Sequence, residues 1–132
     1  VATSNDISKL PPEYVGSQRW NAVFFLDLPT SAEKVAIWAI WAKRLLGLLP
    51  EDLEKMRMPS DQDWTGADIR KCCETAAMMG STLPEAAEYV VPLAKSMKEE
   101  IQALREWASG RAIWASLPEE QPAAGRKITL GR

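Results

Sequence analysis

From Val35 to Ala42 the chain reads Val-Ala-Ile-Trp-Ala-Ile-Trp-Ala, without one polar side chain. Thr30 and Glu33 stand ahead of this run and Gly47 just beyond it. A Thr hydroxyl that accepts from the third helical N–H, while a Glu reaches back to the Thr N–H, forms a capping box, and a glycine readily takes the left-handed turn that ends a helix. The segment is therefore predicted to be a helix from Thr30 to about Leu46. Charges fall only near its ends, at Glu33, Lys34, Lys43 and Arg44. A helix that is apolar around its whole circumference needs cover on more than one side. A chain of 132 residues removes only about two-thirds of its unfolded surface from water. Part of that cover is expected from another surface, so at least one of Trp38 and Trp41 should be partly exposed or meet a second chain.

The rest of the sequence changes character along its length. Val1-Ala2-Thr3-Ser4 reads as the end of a strand, and Asn5-Asp6 turns the chain. Ser8 to Val15 holds a short helical turn around Pro11-Pro12. Val23 to Leu28 is a nearly continuous apolar run closed by Pro29, the pattern of a strand covered on both faces in a parallel sheet. After it everything is helical. Pro50-Glu51-Asp52 opens a helix expected to end near Met58, before Pro59. Thr65-Gly66-Ala67-Asp68 opens another, with a stripe of Ile69, Cys72, Cys73, Ala76 and Ala77 and a stop at Gly80. Thr82-Leu83-Pro84-Glu85 starts a short one to about Tyr89. Pro92 precedes a long one, with Met97, Ile101, Leu104 and Ala108 at helical spacing, running to about Gly110. Residues 118–132 are polar and expected to be a flexible tail. The fold class is thus mainly α: a remnant of an α/β core with two strands, followed by a helical bundle. The chain begins with Val1 rather than Met, as a piece of a longer protein would.

Composition closes off several chemistries. There is no histidine, which removes the commonest general base and metal ligand, and no metal site is expected. The two cysteines are adjacent. They cannot form a disulfide framework, and a reducing compartment is expected. A net charge of −2 with no basic block offers no footprint for nucleic acid. No apolar run is long enough to span a membrane, and no signal peptide opens the chain. Six of the aromatic residues are Trp, a residue suited both to cores and to interface hot spots.

At its start the chain resembles the second half of an AAA ATPase core. Val-Ala-Thr-Ser-Asn-Asp, then Leu-Pro-Pro-Glu, Gln-Arg-Trp-Asn and Phe-Phe-Leu-Asp-Leu-Pro follow the family's order of a strand ending in Ala-Thr-Asn, a Pro-containing helix, Gly-Arg-Phe-Asp and an apolar strand ending in Leu-Pro. Asn5 and Arg19 keep the family's separation of fourteen residues. Downstream, Asp63-Trp64-Thr65-Gly66-Ala67-Asp68-Ile69 resembles the Gly-Phe-Ser-Gly-Ala-Asp-Leu motif of the family's helical lid. The segment from Tyr89 to Ala108 is similar to the last part of plastid- and cyanobacterial-type members.

The resemblance implies roles for four residues. Asn5 is the sensor that holds the attacking water, and Arg19 is the arginine finger that reaches a neighbouring subunit's nucleotide. Gly66 and Ala67 line the adenine or ribose. It also implies three regions: 1–30 as the last part of the ATPase core, 31–117 as the lid, and 118–132 as the tail. ATP and Mg²⁺ are expected as cofactors of the full-length protein, with neither held tightly by this chain. A ring of subunits that remodels a protein partner, in the cytoplasm or a plastid stroma, is the implied setting. The departures are Gly16 where many relatives carry a second Arg, Trp20-Asn21 in place of Phe-Asp, and the absence of any G-x-x-x-x-G-K-[ST] loop to cradle phosphates. The resemblance further implies that the strands at Val1–Ser4 and Val23–Leu28 are not neighbours. Their open edges are expected to pair between two chains in a dimer, or to fold back within one. A rival reading, from the Trp-rich helices alone, is a non-catalytic module that docks a protein partner.

Overall fold

The computed structural model describes residues 1–15 and 20–116. In chain order it contains a 3-10 turn at Ile7–Lys9, α1 (Pro12–Val15), β1 (Phe24–Phe25), α2 (Ser31–Leu46), α3 (Pro50–Lys55), α4 (Gly66–Met79), α5 (Leu83–Ala87), α6 (Leu93–Ser96), α7 (Lys98–Ala108) and β2 (Ile113–Trp114). The described residues are mainly helical with one small sheet, in which β1 and β2 run parallel and Phe24 lies opposite Ile113.

Local chemistry fixes the helix ends. Capping boxes form at Thr30 with Glu33, at Thr65 with Asp68 and at Thr82 with Glu85. Gly47 and Gly80 end α2 and α4 in the left-handed region, at φ 68° and 61°. That conformation costs a residue with a side chain about 1 kcal/mol, and a glycine almost nothing. The bundle core lies where α2 packs along α4 and α4 along α5. Trp38, Ala42, Trp64, Ile69, Cys72, Cys73, Ala76, Leu83, Ala86 and Val90 are buried there. The Trp38 and Trp64 rings lie 6.0 Å apart and tilted by 34°. Small residues at Ala42, Cys72, Cys73 and Ala76 let the helices approach closely around these two rings.

The uniformly apolar helix behaves as its composition requires. Trp38 is buried, whereas Trp41 is half-buried, with the guanidinium groups of Arg44 and Arg70 at 5.6 and 4.9 Å from its ring. Val35 and Ile40 on the outer side are 69% and 60% exposed. Among the described residues, this side of α2 thus lacks cover.

Several sequence expectations need correction. Val1–Ser4 is not a strand; four residues without a partner make no ladder. The expected Val23–Leu28 strand is regular only at Phe24–Phe25, because its partner is equally short. That partner comes from residues after the bundle, and it takes one edge of β1 within the same chain. The third helix ends at Lys55 rather than near Met58. The long last helix is two, interrupted at Met97 with φ −119° and ψ 31°. The expected tail, 118–132, lies outside the described residues.

Candidate functional site at the start of helix α4

Helix α4 begins on a loop that α2 holds in place. Lys34, only 12% exposed at its side chain, donates from Nζ to the Asp61 carbonyl at 2.6 Å and lies 3.7 Å from Asp61 Oδ1. Trp38 Nε1–H donates to Asp61 Oδ2 at 2.9 Å. Asp63 then turns the chain at φ 60°, a conformation Asp tolerates better than most side chains. Trp64 follows and is buried against Trp38.

Thr65 and Asp68 close the helix start. Asp68 Oδ2 accepts from the Thr65 N–H and from the Thr65 hydroxyl, both at 2.8 Å, and the Asp68 N–H donates to Thr65 Oγ1 at 3.2 Å. Asp68 is buried, so its carboxylate is occupied by the cap rather than free for chemistry. The next amides are different. Among the described residues the N–H groups of Gly66 and Ala67 have no hydrogen-bond partner, as expected for the first positions of a helix. Gly66 adds no side chain in front of them. A methyl placed there would meet only Ile37, at 3.7 Å from Cδ1, which is ordinary contact.

These two donors can bind an acceptor atom, such as a purine ring nitrogen or a sugar oxygen. Phosphate fits them poorly, since the Asp68 carboxylate sits on the same turn. Beside the loop is a cleft of about 810 Å³, lined by Leu28, Asp63 and residues of α6 and α7 including Lys95, Lys98 and Arg105. Among the described residues no three His, Cys, Asp or Glu side chains gather as a metal site. The residues present could therefore hold the base and sugar side of a nucleotide. Its phosphates and Mg²⁺ would need groups this sequence does not contain.

Of the other two predicted site residues, only Asn5 falls among the described residues. Asn5 is exposed at a bend, next to an Asp6–Lys9 ion pair of 3.1 Å. No hydrogen bond among the described residues links it to Gly66 or Ala67. Arg19 lies outside the described residues. The Lys34–Asp61–Trp38 network was not visible in the sequence. Its partners are 23 and 27 positions apart, with no motif to connect them.

No family model matches the chain, and no solved structure does. Its homologues are AAA domain-containing proteins, in keeping with the AAA-like pattern of its motifs. An "uncharacterized AAA domain-containing protein ycf46" of Guillardia theta is 30% identical over 86% of this chain, and that of Pyropia yezoensis is 30% identical over 89%. The protein of the same name from Gracilaria tenuistipitata var. liui is 28% identical over 88%. The chain spans about a quarter of the length of these relatives, 24% and 26% for the first two. Among the described residues no helix is long and apolar enough to cross a membrane.

Proposed function

We propose that this chain is the sensor, finger and lid portion of an AAA ATPase, closing over a nucleotide whose phosphates are held by sequence outside it. Residues 1–30 then form the last part of the ATPase core and 31–117 the lid. The observation that carries this reading is the start of α4. There Gly66 and Ala67 present two unpaired N–H groups without a side chain in front, on a loop anchored to α2 through Asp61. Asn5 would position the attacking water, and Arg19 would stabilise charge on the transferred phosphate of a neighbouring subunit. Lid movement on hydrolysis would be passed around a ring to a protein partner, in the cytoplasm or plastid stroma.

The test uses the longer protein. Arg19→Ala is expected to lower ATP turnover at saturation by about 10³-fold or more, with ATP affinity nearly unchanged. Gly66→Ala, which fits the fold, is expected to raise the KM for ATP. Unchanged turnover in the first variant and unchanged KM in the second would overturn the reading. A second reading, a helical docking module without a nucleotide role, is favoured by one observation: Val35 and Ile40 of α2 stand uncovered among the described residues. It predicts partner binding that is indifferent to ATP.

A further inference from the structure

The residues that follow the bundle return to where the bundle begins. Arg105, near the end of α7, forks onto Asp27: Nε lies 2.8 Å from Oδ2 and Nη2 lies 2.9 Å from Oδ1. A planar guanidinium–carboxylate fork is both strong and directional. The Ile113 N–H donates to the Val23 carbonyl at 2.8 Å, and the Ala115 N–H to the Phe25 carbonyl at 2.9 Å. Phe25 and Trp114 meet edge to face with ring centroids 4.8 Å apart, a favoured aromatic arrangement. Finally the Ser116 hydroxyl donates to Glu33 Oε1. Glu33 is the capping residue of α2, and its Oε2 already accepts from the Thr30 N–H at 2.9 Å.

These contacts fall on both sides of one joint. Val23, Phe25 and Asp27 precede Leu28–Thr30, whereas Glu33 follows it in the first turn of α2. Residues 28–30 have no regular structure. Apart from this peptide link, the main packing partner of β1 among the described elements is β2. The direction of the strand relative to the bundle therefore rests on β2 and α7, which reach the bundle through Ser116 on Glu33 and through α6.

We propose that α7 and β2 form a brace across this joint, fixing β1 relative to the helical bundle, and that releasing the brace lets the bundle swing about Leu28–Thr30. The brace consists of surface contacts, with the Arg105 side chain 38% exposed, whereas the interface of α2 with α4 is buried. Segments held by few exposed contacts open before a buried core does. The brace is thus a separately releasable unit. This inference goes beyond the nucleotide reading and needs no nucleotide, so it stands or falls independently.

The experiment uses the chain itself. Hydrogen exchange is followed in the wild type, in Arg105→Gln and in Ala115→Pro, which deletes the N–H that donates to Phe25. In Arg105→Gln the amides of Ile113 and Ala115 should exchange at least about tenfold faster, with those of Cys72 and Cys73 in α4 unchanged. Spin labels on cysteines introduced at the exposed Ala22 and Ala36 should give a narrow distance distribution in the wild type and a broad one in both variants. Unchanged exchange and distances in the variants would overturn the proposal. So would equal loss of protection in α4, which would make the arm part of one cooperative core.

Discussion

Replacing Trp38 by Phe separates two contributions of one buried side chain. The ring stays aromatic and still faces Trp64, but the Nε1–H bond of 2.9 Å to Asp61 is lost. Hydrogen bonds to charged acceptors contribute about 1.5–3 kcal/mol. Asp61 is 32% exposed and keeps Lys34, so water replaces part of the bond and the loss falls to roughly 1 kcal/mol. The smaller ring removes buried atoms from the core at a cost of about 1 kcal/mol. Trp38→Phe should therefore cost about 2 kcal/mol, a fall in Tm of about 8 °C for a chain of this size. Urea unfolding followed by far-UV circular dichroism measures this without relying on Trp fluorescence. A cycle with Asp61→Ala isolates the pair and should give a coupling of about 1 kcal/mol. A coupling below about 0.3 kcal/mol, the scatter expected for independent sites, would refute the account of how α2 holds the loop before α4.

Burial pushes the Cys72 thiol up to about 11, and burial with the negative charges of Cys72 and Glu74 pushes Cys73 up to about 12. Native chain at pH 8 should resist iodoacetamide and react fully in urea; rapid native alkylation would show that the α4 core is open. The Ser116 hydroxyl, then the Thr30 N–H, hold the Glu33 carboxyl below its ordinary value, and the Thr82 N–H does the same for Glu85. Both favour the folded chain as carboxylates. Their contribution is present above the ordinary value of 4.5 and is lost as pH falls through the lowered folded values. Glu33→Gln should flatten the acid side of the stability curve, and an unaltered slope would count against the Ser116 contact.

What the sequence made legible was local. Each capping box spans four consecutive residues, and Thr30, Thr65 and Thr82 were all identifiable from a hydroxyl and an acid three residues on. The exposure of part of α2 followed from its lack of a polar face. The nonlocal features were hidden. Ile113-Trp114 carries no strand signal in two residues, and only its pairing 89 positions back to Phe24 makes it a strand. Lys34 looked like a charge at a helix end, but it is nearly buried because Asp61 returns to it from the loop. Of the candidate site, the Gly66–Ala67 turn is built by its own sequence. Nothing local could state whether Asn5 approaches it.

The parallel pairing of β1 and β2 has a topological consequence. Antiparallel strands can be joined by a tight turn, but parallel neighbours need a crossover that carries the chain back to its starting level. Here the crossover is the whole of α2 to α7. In this sense the bundle is one enlarged connection within a β-α-β unit, between two strands that join Phe25 to Trp114 edge to face and leave Phe24 and Ile113 exposed. A crossover needs only about a dozen residues. The bundle is therefore free to gain or lose turns in its connections, such as the stretch between α3 and α4, while the two strands that bound it keep their register.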